Sequence, residues 1–190
     1  MMKRQNMTMA KTMKMVAIIC AVSTVFVAIF YKVTSYDIFL TLAITFGTVT
    51  YHFVMRLLVG LIFNITMHNK ADYQKRWYQL RKHEKRFYEK IKVKQWKNKL
   101  PTYNSDFFNP KLHTWDEIAQ SMCQAELIHE TIVVLSFAPI VSGRWFGAYP
   151  VFIVTSILAA LFDMVFVIMQ RYNRARIIRF KFRYTNNPRP

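Results

Sequence analysis

The chain has 190 residues, of which 53% are hydrophobic and 16% aromatic, yet its formal net charge is +17. These traits exclude an ordinary soluble domain, because the apolar residues form long runs almost without charge and the basic residues lie between those runs. We therefore expect an all-α integral membrane protein built as a single membrane domain. Nucleic acid is not an expected partner, since membrane orientation and anionic lipid account for the positive charge.

Four transmembrane helices are predicted from four apolar runs. The runs cover residues 15–31, 38–61, 127–141 and 146–169. The third has only about 15 residues against the ~20 that a helix needs to cross a bilayer, so its helix either begins earlier or crosses a thin place. Lys and Arg are scarce after the first and third runs and abundant in the other segments. The positive-inside rule then predicts that both termini are cytoplasmic.

A long basic segment, 68–126, separates the second and third runs. Apolar side chains recur along its first part at helical spacing, namely Tyr73, Trp77, Leu80, Phe87 and Ile91. Lys and Arg occupy the other faces, so we expect a basic amphipathic helix on the cytoplasmic leaflet, ended by Pro101. The tail, 170–190, mixes basic and apolar residues and is expected to be cytoplasmic and interfacial as well.

The third predicted helix carries a candidate catalytic group at its start. Glu126, His129 and Glu130 are spaced at i, i+3 and i+4, so they share one helix face and a carboxylate there could orient the imidazole. An oriented, neutral histidine is a suitable general base near pH 7. The alternative is an interfacial helix end without chemistry. A di-iron site would need a second Glu-x-x-His, which the sequence lacks, and no metal is expected.

Two further polar residues, His52 and Arg56, lie one turn apart inside the second apolar run. An arginine at that depth needs an anionic partner or a wet cavity. Asp163 in the fourth run is an available partner, and a role in substrate binding is the alternative.

The fourth run ends in a group of hydrogen-bond donors. These are Arg171, Asn173, Arg174 and Arg176. Membrane anchoring would explain the arginines but not Asn173. Because the third helix runs outward from Glu126 and the fourth returns at Gln170, His129 and these donors should share the cytoplasmic boundary. A base and anion-binding donors at one depth suit transfer from a phosphate-bearing donor to a membrane lipid.

Three motifs together resemble a known family. They are Gln124-Ala-Glu-Leu-Ile-His129, Gln170-Arg-Tyr-Asn-Arg-x-Arg176 and Trp96-Lys97-x-Lys99. They are similar to the glycosyl-4,4'-diaponeurosporenoate acyltransferase family, small membrane enzymes of staphyloxanthin-type carotenoid synthesis and their relatives in Gram-positive bacteria. The similarity extends from His52 to Phe180, with Ala175 where the family pattern has Pro. It implies transfer of a fatty acyl group to a sugar hydroxyl of a glycosylated lipid in the bacterial cell membrane.

The residues and the resemblance lead to one hypothesis for the chemistry. His129, oriented by Glu126 or Glu130, would deprotonate the acceptor hydroxyl, which would attack the thioester of an acyl-CoA or an acyl-carrier protein. No tightly bound cofactor is expected. The residues expected to bind donor or acceptor are Arg171, Asn173, Arg174, Arg176, Lys94, Lys97, His52 and Arg56. Lys94 and Lys97 are as ambiguous as the arginines, because an interfacial Trp often has basic neighbours.

Two alternatives to acyl transfer stay open. Another small lipid-modifying enzyme, of the S-adenosylmethionine-dependent methyltransferase type, would use a similar boundary site. A non-enzymatic membrane scaffold or lipid-binding subunit would use its charge only for topology and partner docking. The sequence leaves the acceptor lipid, the acyl chain and the oligomeric state open.

Overall fold

The computed structural model describes residues 9–98 and 108–186, and within these ranges it is helical, with turns and no β-strand. Six α-helices follow one another along the described chain: α1 Met9–Thr34, α2 Asp37–Met67, α3 Lys82–Lys90, α4 Trp115–Leu135, α5 Gly143–Phe146 and α6 Tyr149–Asn186. Short 3₁₀ helices cover Arg76–Tyr78, Val93–Asn98 and Ala138–Ser142.

Four of the helical stretches are long and apolar enough to cross a membrane. They are Ala10–Thr34, Asp37–Met67, Trp115–Phe146 and Tyr149–Phe182. Large apolar side chains on them are exposed, as lipid-facing residues are: Ile18 and Val22 on α1 are both 64% accessible. The prediction of an all-α protein with four transmembrane helices is confirmed, and the chain is a multi-pass membrane protein.

The third of these helices begins a full twelve residues before the predicted start at 127. Thr114 caps α4, since its backbone N–H donates to Glu117 Oε2 at 2.8 Å and its Oγ1 accepts from the Glu117 N–H at 3.3 Å. This reciprocal pair is a capping box. The first turns of α4 contain polar residues, so no continuous apolar run marks the beginning of this helix. Their inner face is nevertheless buried, with Ile118 and Cys123 at 1% and 0% exposure.

The fourth predicted run also belongs to a longer helix. α6 begins at Tyr149 and continues through 170–186, so the arginines expected at the start of a cytoplasmic tail lie on a helix. The last part of the basic segment, from Trp115 on, likewise belongs to α4.

The single amphipathic helix expected from Tyr73 to Ile91 is interrupted in the structure. A 3₁₀ turn at Arg76–Tyr78 is followed by extended backbone at Gln79, and α3 begins only at Lys82. Glu84 caps this new start by accepting the Arg81 N–H at 2.8 Å. The expected end at Pro101 lies outside the described residues.

The chain forms two compact units, each made of two stretches of sequence. Unit 1 comprises Met1–Leu61 with Thr131–Phe162, and unit 2 comprises Ile62–Glu130 with Asp163–Pro190. In unit 1 the Tyr51 hydroxyl donates to the Leu135 carbonyl at 2.9 Å. In unit 2 the core is formed by Tyr88, Val93 and Tyr172. Partly buried residues pack against that core: Leu80, Ile91, Trp96 and Ile168.

Candidate active site

Within unit 2, α4 and α6 are joined by a ladder of polar contacts. Near one end, Lys181 Nζ lies 2.7 Å from both oxygens of Asp116. Further along, Arg171 Nη2 donates to Glu130 Oε1 at 3.1 Å. As the contacts advance along α4 from Asp116 to Glu130, their partners recede along α6 from Lys181 to Arg171. The two helices therefore run antiparallel in this unit.

The centre of the ladder is a buried ion cluster formed by Glu126, Glu130, Arg171 and Arg174. Glu126 is 0% exposed and Arg174 is 1% exposed. Arg171 Nε donates to Glu126 Oε1 at 2.6 Å, and Arg174 Nη1 donates to the second oxygen of the same carboxylate. Charges this far from water persist only when they are paired and hydrogen-bonded. The Glu126 carboxylate thus holds both arginines in place.

The same arginines fasten the extramembrane chain to the helix pair. Arg171 Nη1 donates to Glu84 Oε1 on α3 at 3.1 Å. Glu130 accepts a further hydrogen bond from Trp77 Nε1 at 2.9 Å. The cluster thus connects α4 and α6 to both the 3₁₀ turn and α3.

Arg174 makes a second kind of contact with the 3₁₀ turn. Its Nη2 donates to the carbonyl oxygen of Tyr78, and its guanidinium lies 5.1 Å from the centre of the Tyr78 ring. Burial raises the pKa of the Tyr78 phenol to about 12, so the ring stays neutral at physiological pH. An electron-rich neutral ring beneath a guanidinium adds a cation–π attraction to the ion pairs.

His129 stands apart from the cluster and is held by a different carboxylate. Its Nδ1 lies 2.8 Å from Asp163 Oδ1, a distance at which Nδ1–H donates to the carboxylate. Its ring stacks on Phe166 with the centroids 4.7 Å apart and the planes inclined by 11°. Asp163 is 1% exposed, whereas the His129 side chain retains 23% exposure. The imidazole is thus fixed on one side and accessible on the other.

This arrangement corrects the expectation that Glu126 or Glu130 orients His129. All three residues share a face of α4, as predicted, but both glutamates are held by arginines and by Trp77, and Asp163 on α6 takes the orienting place. The sequence indicates Asp163 as a partner for Arg56 or as a substrate-binding residue, and not as the group that orients His129. The signal that could have drawn attention to it is that Asp163 is the sole charged residue in the apolar run 146–169.

The donors at the end of the fourth apolar run are also used differently from the expectation. Arg171 and Arg174 were expected to bind an anion of the substrate, but their donors are directed at the carboxylates of the cluster. Arg176 lies with its guanidinium 6.0 Å from the Tyr172 ring centre, and Asn173 is half-buried. In this structure Arg171 and Arg174 are therefore engaged by the protein's own carboxylates.

The remaining residues expected to bind substrate lie in different surroundings. Lys94 is exposed in the second 3₁₀ helix, and the side chain of Lys97 lies outside the described residues. His52 is buried in α2 of unit 1, edge-on to Tyr51. One turn on, Arg56 donates to the carbonyl oxygens of His52 and Ala159.

The helices and the His129–Asp163 pair together describe a multi-pass membrane protein in which a carboxylate of α6 orients a histidine of α4. Comparison with known families shows which family the chain belongs to. Residues 74–183 match the family model described as glycosyl-4,4'-diaponeurosporenoate acyltransferase, and the chain belongs to this family. No curated protein and no solved structure matches the chain. The family name indicates an acyltransferase. The resemblance noted in the sequence is thereby confirmed.

Proposed function

We propose that the protein transfers a fatty acyl group from a thioester donor to a sugar hydroxyl of a glycosylated carotenoid or similar glycolipid. The donor would be an acyl-CoA or an acyl-carrier protein, and the site would open to the cytoplasmic leaflet of a bacterial membrane. Family membership supports the reaction class, since the family name joins an acyl transfer to a glycosylated acceptor. The contact between His129 and Asp163 is the observation that carries the mechanism.

In this mechanism His129 acts as the general base. With Nδ1–H held by Asp163, the lone pair lies on Nε2, which takes the proton from the acceptor hydroxyl. The oxygen forms a bond to the acyl carbon, the carbon–sulfur bond breaks, and the thiolate leaves. The imidazolium returns its proton to that sulfur, so the base is regenerated. The buried carboxylate of Asp163 stabilises the transient imidazolium and keeps the ring in the productive tautomer.

The position of the base also favours transfer over hydrolysis. Asp163 lies eight residues before Arg171 on α6, which places it roughly 12 Å further into the apolar part of that helix. Phe166 covers one face of the imidazole. Water is scarce in such surroundings, so a lipid-borne hydroxyl competes well for the acyl group.

Fewer residues are proposed to bind the acyl donor. Because Arg171 and Arg174 are engaged by Glu126, they are poor candidates for binding the donor's phosphate. Arg176 and the exposed Lys94 remain the proposed contacts for it, and both carry a charge suited to a phosphate oxygen.

Lipid mass spectrometry tests the proposed reaction directly. Membranes containing the protein are incubated with isotope-labelled acyl-CoA, acyl-carrier protein or S-adenosylmethionine, and the extracted lipids are compared with those of protein-free membranes. A glycosylated lipid heavier by one labelled acyl chain is the expected product. Label that arrives only from S-adenosylmethionine would replace the proposal with methyl transfer. No labelled lipid from any donor would leave a non-enzymatic membrane protein.

A further inference from the structure

The extramembrane chain of unit 2 is strongly basic. Residues 68–98 contain eleven basic residues and only three acidic ones. All three acids are engaged within the protein: Glu84 accepts from Arg171, Glu89 lies 3.8 Å from Lys85, and Asp72 accepts from the Gln74 N–H at 2.9 Å. Nine of the basic residues are exposed: Lys70, Lys75, Arg76, Arg81, Lys82, Arg86, Lys90, Lys92 and Lys94.

Three of these basic residues form a regular row on α3. Lys82, Arg86 and Lys90 follow one another at intervals of four residues, so they project from one helix face with a rise of about 6 Å between neighbours. All three are exposed, whereas Glu84 and Tyr88 on another face of α3 contact Arg171 and the core of unit 2. The row therefore faces away from the protein's own interior.

Two large aromatic side chains of the same segment are also exposed to the surroundings. Phe87 on α3 is 54% exposed, and Trp77 in the preceding 3₁₀ turn is 63% exposed. Exposed aromatic residues beside Lys and Arg are typical of protein surfaces at the level of lipid headgroups, where the rings enter the interface and the cations meet phosphate.

We propose that the α3 surface, formed by Lys82, Arg86, Lys90 and Phe87, binds anionic phospholipid headgroups. Chain connectivity keeps this segment at a membrane surface, because it lies between two membrane-crossing helices, α2 and α4. Each basic residue at such a surface contributes about a fivefold preference for anionic lipid. The surface recruits an anionic lipid shell at the leaflet where α3 lies, whether or not the protein transfers acyl groups.

Fluorescence quenching of Trp77 by brominated lipids tests this binding. The full-length protein, with Phe replacing Trp96, Trp115 and Trp145, is reconstituted into phosphatidylcholine vesicles with a low mole fraction of phosphatidylglycerol. Bromine is carried on the acyl chains of one lipid or the other. We expect brominated phosphatidylglycerol to quench Trp77 several-fold more strongly, per mole fraction, than brominated phosphatidylcholine, and the excess to shrink at high salt.

Matched variants test whether the α3 surface causes the excess quenching by phosphatidylglycerol. Lys82→Gln with Arg86→Gln and Lys90→Gln should abolish most of the excess quenching by phosphatidylglycerol. The charge-retaining set Lys82→Arg, Arg86→Lys and Lys90→Arg should preserve it. A control outside the segment, Lys32→Gln with Arg144→Gln, removes exposed positive charge elsewhere and should leave it intact.

Three outcomes would overturn the proposal. Equal quenching by both brominated lipids would show no preference for an anionic headgroup. Loss of the preference in the Lys32 and Arg144 control would assign it to overall charge rather than to the α3 surface. Absence of quenching, together with binding of an acidic acyl-carrier protein that the Gln variant loses, would assign the surface to a soluble partner.

Discussion

Glu126→Gln removes one negative charge from the buried ion cluster while keeping the size of the side chain. In the native protein this carboxylate accepts from both Arg171 and Arg174 and is 0% exposed. After the substitution Arg171 keeps Glu84 and Glu130. Arg174, which is 1% exposed, loses its contact with a carboxylate. A buried charge left uncompensated in this way costs about 3–5 kcal/mol.

Glu130→Gln is the matched control. Glu130 is 23% exposed. When the charge of Glu130 is removed, Arg171 still pairs with Glu84 and Glu126. The loss should therefore be about 1 kcal/mol, the usual range for a partly solvated ion pair. The large difference between two glutamates one turn apart on α4 follows only from the geometry of the cluster.

The free energy of unfolding can be measured by titrating the reconstituted protein from mild detergent into dodecyl sulfate micelles and following helical circular dichroism. A double variant, Glu126→Gln with Arg174→Met, should recover part of the loss, because it removes the stranded charge as well. A Glu126→Gln protein within about 0.5 kcal/mol of the native one, as for an ordinary surface substitution, would refute the structural role of Glu126. It would return Arg174 to the candidates for substrate binding.

Four further substitutions have distinct expected outcomes. Asp163→Asn should lower the rate of acyl transfer by about 10²–10⁴-fold, the usual contribution of an acid–base group. The reason is that an amide can donate to Nδ1 of His129 and leave the proton on Nε2. Unchanged turnover by a protein with native circular dichroism would show that Asp163 has no part in catalysis. Gly143→Ala would bring a Cβ to 2.5 Å from the Tyr149 ring and should destabilise the protein by about 1–3 kcal/mol. Gly60→Ala, with nothing within 4 Å, should be neutral or stabilising by up to about 1 kcal/mol, and the same unfolding titration compares the two. Lys181→Met should leave the free energy of unfolding close to the native value, because its ion pair with Asp116 is largely exposed to solvent. A clear loss of stability in that titration would contradict this expectation.

The sequence predicts the four membrane helices well, since each contains an apolar run whose length a bilayer dictates. It predicts the beginning of α4 poorly, because residues 115–126 are polar on a face that contacts other parts of unit 2. Burial of Glu126 depends on arginines some 45 positions away in the chain. Apolar periodicity carries no information on such a contact.

The interrupted amphipathic helix has a similar cause. Local spacing favours a continuous helix through Tyr78 and Arg81, but the Tyr78 carbonyl accepts from Arg174 and the Arg81 N–H is capped by Glu84. One of these partners lies almost one hundred positions along the chain. Long-range hydrogen bonds can override helix propensity at a few residues.

The candidate site was predicted in part. His129 was identified from its position beside two carboxylates on one helix face. Its partner on α6 could not be inferred, because that pairing depends on the register of two antiparallel helices. The 3₁₀ turn Ala138–Ser142 and the short helix α5 lie between these helices, and irregular turns of this kind shift the register by an amount that the sequence does not reveal. Asp163 is therefore a finding of the structure.

The central claim is that His129 is the general base of acyl transfer, and His113 offers the matched control. His113 also lies beside a carboxylate, with its Nδ1 3.6 Å from Glu117, but it belongs to an exposed pair outside the site. The measurement is the turnover of labelled acyl donor into glycosylated lipid by the reconstituted His129→Gln and His113→Gln proteins, each checked for native circular dichroism. We expect turnover by the folded His129→Gln protein to fall by at least about 10²-fold and turnover by His113→Gln to stay at the native level. Near-native turnover by His129→Gln would contradict the account.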